Sequence, residues 1–146
     1  MQTFRYFALF EPGDVHGITV SFPDVPEAIT QGDDAADAYA QAREALGLAL
    51  LTYPRRGLPL PLPKVRKEKA SGLVSVVVAP EVAAKLAVLE CFREAGISKS
   101  ELARRLDKDE KEVRRILDPM HATKISPLAA ALEAMGQHLV IGVEAA

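Results

Sequence analysis

The side chains with the clearest chemical capacity are cations near the C-terminus. Lys111, Arg114 and Arg115 fall within the stretch Glu110 to Leu117. If Val113, Ile116 and Leu117 face inward at about 100° per residue, Lys111 and Arg115 point away and Arg114 lies on the flank. Cations on the exposed face of one helix suit a groove lined by phosphates. Glu110 and Glu112 on the same helix oppose that charge, although a carboxylate can accept from a cytosine amino group. A second set is Asp14, Asp24, Asp33, Asp34 and Asp37. Metal-dependent phosphodiester hydrolysis needs several carboxylates converging on two cations from rigid elements. Here Asp24 lies between two prolines, Asp33 and Asp34 sit at a helix cap, and none is inside a clear strand. No catalytic residue is therefore expected. His16, His121 and His138 are scattered, without metal-ligand spacing, so no metal site or cofactor is expected. There is also no glycine-rich phosphate loop and no nucleophile elbow.

The cations need a scaffold, and Gly96 to Leu117 reads as a helix-turn-helix. Ser98 and Ser100 offer N-caps for a first helix carrying Leu102, Ala103 and Leu106 at helical spacing. Asp107 to Asp109 is polar enough to turn, and Asp109 can cap a second helix. The small Ala103 lets that helix cross closely, while Val113 and Ile116 lock it in place. Asp107 stands where such turns often carry glycine. Ser98, Lys99, Lys108 and Lys124 join Lys111, Arg114 and Arg115 as candidate DNA contacts. The competing reading is an amphipathic helical hairpin with a solvated charged face.

Upstream, Phe4 to Phe10 reads as a strand, Glu11 to Asp14 as a turn, and Gly17 to Phe22 as a second strand. Ala28 to Thr30 forms a short third strand. A helix over about Ala35 to Thr52 follows, with Ala35, Tyr39, Ala42, Leu46, Ala49, Leu50 and Tyr53 as its apolar stripe. Pro54 to Pro63 holds four prolines in ten residues and predicts an extended connector or a partner-binding polyproline segment. Lys64 to Lys69 is a basic run, read as a solvated edge rather than a nucleic-acid site. Gly72 to Val78 is rich in valine and suggests a central strand buried on both faces. A helix from Pro80 to about Ala95 has Val82, Leu86, Leu89 and Phe92 or Arg93 on its inner face. Ser126-Pro127 caps and opens a last helix, Leu128 to Met135. His138 to Val143 is a final strand. Its Leu139, Val140, Ile141 and Val143 would pair with their copies in a homodimer, or the strand would add to the N-terminal sheet.

The expected class is α+β: a small sheet with one packed helix over residues 1–80, then a mostly helical DNA-binding and dimerisation domain over residues 81–146. Hydrophobic residues make up 49% of the 146, enough for a core. The lone Cys91 excludes an intramolecular disulfide. No signal peptide is visible and no apolar run approaches the ~20 residues of a membrane span, so a cytoplasmic protein is expected. The net charge of -2 hides an asymmetry. Met1 to Tyr53 holds eight acids and two bases, net -6, and the remainder twelve acids and sixteen bases, net +4. A basic protein for the front and nucleic acid for the back are the partners this split suggests.

Phe22-Pro-Asp-Val-Pro26, Ile29-Thr-Gln-Gly-Asp33 and the helix through Ala42-Arg-Glu-Ala-Leu46 resemble the N-terminal signature of HicB-family antitoxins. Glu27-Ala28 replaces that pattern's usual Gly-Cys pair. The C-terminal half, through Leu117 to Lys124 and Ala134 to Val143, is similar to the helix-turn-helix domains of some members. The resemblance implies a partial RNase H-like or double-stranded-RNA-binding-like domain, a linker and a DNA-binding domain. It also implies a partner, a small basic HicA-type toxin that cleaves mRNA, with repression of the shared operon by dimers or higher assemblies with toxin. It assigns no toxin contacts residue by residue. Acidic character nominates Asp24, Glu27, Asp33 and Asp34. The alternative is a stand-alone one-component repressor whose N-terminal domain binds a ligand or oligomerises. A small basic toxin encoded by the adjacent gene would discriminate the two.

Overall fold

A computed structural model describes residues 1–65 and 72–146. The chain divides into two units, Met1–Ala83 and Ala84–Ala146.

In the first unit, β1 (Arg5–Pro12), β2 (Ile18–Ser21), β3 (Ile29–Gly32) and β4 (Leu73–Val77) form one antiparallel sheet in the order β3-β2-β1-β4. Alternation along each strand puts Tyr6, Ala8, Val20 and Val76 on a common buried face. The register sets Tyr6 opposite Val76, and Phe10 opposite Val20. Helix α1 (Ala35–Arg55) contacts β2, β3 and β4 and buries Ala38, Ala42, Leu46, Ala49 and Leu50. The expected stripe holds at Ala42, Leu46, Ala49 and Leu50, but at its start Ala35 is exposed and Ala38 is fully buried instead. The burial of Ala38 goes with Gly32. A Cβ there would lie 2.3 Å from the Ala38 backbone nitrogen, so the end of β3 meets α1 at Ala38 and only glycine fits.

Two expectations are corrected in this unit. The valine-rich β4 is an edge strand, not a central one. Val78 N–H donates to Phe4 O, so the polar groups of Val77 face away from β1. Helix α1 closes part of that edge: Arg43 Nε donates to Val77 O at 2.8 Å, and Val77 N–H donates to the Tyr39 hydroxyl at 3.4 Å. The second correction concerns Pro54, which lies inside α1 rather than in the connector. It occupies the last turn, where the helix is already stopping. Leu58 N–H then reaches back to Tyr53 O and Gly57 N–H to Pro54 O, with Gly57 left-handed at φ 68°. The following connector is pinned by the Tyr6 hydroxyl, which donates to Pro61 O at 2.7 Å. Of the basic run at Lys64 to Lys69, Arg66 to Lys69 lie outside the described residues.

The second unit is helical. Helix α2 (Pro80–Ala95) supplies it with Ala84 and Val88, which pack with Ile116, Leu128, Ala131 and Leu132. Helices α3 (Lys99–Leu106), α4 (Glu110–Ile116) and α5 (Ile125–Ala134) complete it. A second cluster joins Leu102, Ala103 and Val113, and Leu106 and Leu117 pack against both clusters. On α2 burial spreads from Ala84 to Leu89 and includes Lys85, wider than the expected Val82, Leu86, Leu89 face. Helix α5 starts at Ile125, before the expected Ser126-Pro127 cap. Lys124 takes the cap position without a side-chain hydrogen bond, and Pro127 is tolerated because first-turn N–H groups have no intrahelical partner. His138 to Val143 is not a strand within the single chain, and the four-stranded sheet does not include it. A strand requires a hydrogen-bonded neighbour, and none of the described strands pairs with this segment. Leu139 packs against the first cluster, whereas Val140, Ile141 and Val143 are 65%, 67% and 98% exposed.

Candidate functional site

The first candidate surface is carried by α3 and α4. Ser98 accepts from Glu101 N–H at 3.0 Å and caps α3. Ser100 is not a cap; its hydroxyl donates to Glu110 instead. Helix α3 ends at Asp107, the one non-glycine residue with positive φ among the described residues (φ 52°, ψ 47°). Aspartate visits this region more readily than most residues, which is how the turn dispenses with glycine. Lys108 N–H closes the turn on Ala103 O at 3.0 Å. Asp109 then caps α4, accepting from Glu112 N–H at 2.9 Å. Val113 and Ile116 are 0% and 4% exposed, and Ala103 lies in the same cluster as Val113.

The outward charges sort into two groups. Lys108 pairs with Glu112 at 3.4 Å and Arg114 with Glu110 at 3.5 Å, so the two glutamates are engaged within the surface itself. Arg104 and Arg105 both bind Glu101. Those hydrogen bonds, that of Arg104 first, hold its carboxyl at about 2. Arg105 also donates to Ala134 O at the end of α5. Among the described residues, no carboxylate pairs with Lys99, Lys111, Arg115 or Lys124. Lys111 and Arg115 are exposed and lie one turn apart on α4.

Behind α4 stands Lys85, a residue that sequence reasoning missed. It is 3% exposed, and its ammonium donates to Arg115 O (3.1 Å), Ile116 O (2.8 Å) and the Thr123 hydroxyl (2.6 Å). Burial pushes its pKa down to about 8, against the opposing pull of Asp118. The available signal was a lysine four residues before Leu89, on the apolar side of α2.

The second candidate surface is the acidic part of the first unit. Asp24 sits in the turn where Val25 N–H bonds Phe22 O and Ala28 N–H bonds Val25 O, with Phe22, Val25 and Ala28 buried. Its carboxylate accepts from the backbone N–H of Lys64 (2.8 Å) and Val65 (2.9 Å), anchoring the connector. Glu27 accepts from the Tyr53 hydroxyl at 2.8 Å and pairs with Arg56 at 3.6 Å. The tyrosine bond is the main reason its carboxyl titrates below the usual range. Asp34 caps α1 through Asp37 N–H, and Asp37 returns a bond to Asp33 N–H, both at 2.8 Å. Of the four nominated acids, only Asp33 has a carboxylate without a partner among the described residues. It lines an open cleft with Asp14, His16 and Asp37, beside the 90%-exposed Val15. No helix among the described residues is long and apolar enough to cross a membrane.

No family model matches the chain. It is 39% identical over 140 residues to Antitoxin HicB 2 of Photorhabdus laumondii subsp. laumondii, covering 94% of this chain and 95% of that protein. It is 35% identical over 144 residues to Antitoxin HicB 1 of the same organism, covering 99% and 90%. Against Antitoxin HicB of Escherichia coli K12 the identity is 36% over 135 residues, covering 92% and 96%. Similarity at this level runs through both units rather than one, so the chain belongs to the HicB antitoxin family.

Proposed function

We propose that this antitoxin neutralises a HicA-type, mRNA-cleaving toxin through its N-terminal unit and represses its own operon by binding operator DNA as a dimer through α3 and α4. The observation that carries the DNA-binding half is the division of α4. Val113 and Ile116 are buried, while Lys111 and Arg115 are exposed and pair with no carboxylate among the described residues. A helix-turn-helix presents its second helix to the major groove in this way, with first-helix residues such as Ser98 and Lys99 near the backbone. Because Glu110 and Glu112 are engaged by Arg114 and Lys108, they oppose phosphate approach less than their number suggests. Lys124, at the start of α5, offers a further cation.

A two-fold operator needs two copies of α4, and the exposed Val140, Ile141 and Val143 offer a segment that can pair with its own copy. The toxin half rests on the relatives' naming as antitoxins and on the net charge of -6 over Met1 to Tyr53. An acidic surface competes with RNA phosphates for a basic toxin face and steers their encounter. Asp33 is the nominated acid most available for this, while Asp24, Glu27 and Asp34 already serve the fold.

The test is co-expression with the product of the adjacent gene, followed by growth measurement, co-purification and a mobility shift on DNA upstream of the chain's own gene. Rescue, a stable complex and a sequence-specific shift are expected. A toxic neighbour that this chain neither binds nor silences would remove the toxin half. Equal affinity for upstream and random DNA would remove the operator half.

A further inference from the structure

We infer that Lys85 is a positioning residue for sequence-specific DNA reading, fixing where α4 sits although it is too buried to touch DNA. This rests on the operator-binding reading above. Helix α4 has seven residues, so its C-terminal carbonyls form a large share of its polar groups; Asp118 N–H reaches Arg115 O at 3.2 Å from just beyond the helix, and Lys85 adds side-chain donors to the end of α4. Two of them, Arg115 O and Ile116 O, are served by the Lys85 ammonium, and the third donor goes to the Thr123 hydroxyl. Three donors thus meet three acceptors, in a place where water has little access. The cation also lies at the negative end of the α4 dipole.

A buried lysine is costly compared with an apolar residue of its size, so its retention calls for a task that packing cannot perform. Val113 and Ile116 press α4 inward, but apolar contact is non-directional and tolerates sliding along the helix axis. Directional hydrogen bonds to two consecutive carbonyls resist sliding. One of those carbonyls belongs to Arg115, a proposed DNA contact. Lys85 therefore ties that contact to α2, and through Thr123 to the segment that leads into α5. Asp118 faces the ammonium electrostatically, and His121 Nδ1 lies 3.0 Å from the same Thr123 hydroxyl.

Sequence-independent binding depends on surface cations, whereas sequence-specific binding depends on accurate seating of the reading helix. The test uses full-length protein, a duplex from upstream of its own gene, and a random duplex of equal length. For Lys85→Met we expect at least about tenfold weaker binding to the upstream duplex, and binding to the random duplex within about twofold of wild type. Hydrogen exchange of the α4 amides should quicken by about tenfold, while that of the α1 amides stays unchanged. Thr123→Val should move both readouts in the same direction by less, and it decides the matter should Lys85→Met fail to fold. Retained specificity, equal loss on both duplexes, or unchanged α4 exchange would overturn the role of Lys85 while leaving the operator reading in place. Wild-type protein that fails to distinguish the two duplexes would overturn the operator reading, and the specificity role with it.

Discussion

Single side chains in this antitoxin divide between building surfaces and presenting charge. Asp24, Asp34 and Asp109 each give a carboxylate oxygen to backbone N–H groups, so their first task is local folding. Lys111 and Arg115 present charge, and the operator reading predicts that Lys111→Ala and Arg115→Ala each weaken DNA binding and lower its salt slope by about 1. Toxin neutralisation should be unchanged in both. Mobility shifts across a salt series, with growth rescue alongside, check this. Lys85 carries a separate stability prediction. Its pKa of about 8 lies below the ordinary 10.5. Between those values the unfolded chain holds a proton that the folded chain has released, so stability rises with pH across the window. Falling pH removes that gain, which is gone below about 8. Asp118, His121 and Arg115, the charged or titratable groups around it, are shared by wild type and Lys85→Met. Their difference in urea stability should therefore shift toward wild type as pH rises from about 8 to 10.5. A flat difference would show that Lys85 titrates alike in both states.

Among the elements, the turn between α3 and α4 and the edge of β4 both show side chains taking over tasks usually given to other residue types. The turn uses Asp107 in a left-handed conformation. Replacing it with alanine imposes the left-handed penalty of about 1 kcal/mol or more that glycine escapes. Asp107→Gly is therefore expected to be more stable than Asp107→Ala by about 1 kcal/mol in denaturant titrations. Equal stability would mean that the turn adapts its backbone. At β4, Arg43 and Tyr39 occupy the outward groups of Val77, so a valine-rich strand survives at an edge that would otherwise invite further pairing.

For the molecule as a whole, charge and covered surface suggest how the two units are used. The N-terminal residues to Tyr53 carry net -6, while α3 and α4 of the second unit carry Lys99, Lys111 and Arg115, which pair with no carboxylate among the described residues. Val140, Ile141 and Val143 form a short apolar stretch that the described residues leave exposed. The dimer proposal predicts that deleting residues 139–143 yields a monomer by light scattering, with operator affinity reduced at least about tenfold by the loss of the second half-site. A truncated protein that stays dimeric would place the interface elsewhere.

The α+β order, the four strands of the sheet and the five helices of the described residues were legible in the sequence, because periodicity and caps are local properties. The inward set of Ala103, Val113 and Ile116 was legible for the same reason: one helical repeat decides it. So was the antitoxin resemblance, which Phe22-Pro-Asp-Val-Pro26 and Gly32-Asp33 carry in short motifs. Strand order was not legible. A run of valines reads alike at the centre of a sheet and at an edge whose outward groups are served by a distant helix. Residues 138–143 read as a strand by composition, yet a strand exists only with a neighbour to bond. The partners of Asp24, forty residues along the chain, and of Lys85, thirty or more along, were likewise fixed only when tertiary folding brought the donors and acceptors together. A polar side chain's task is set by what lies within about 3 Å of it, and spacing along the sequence does not encode that distance.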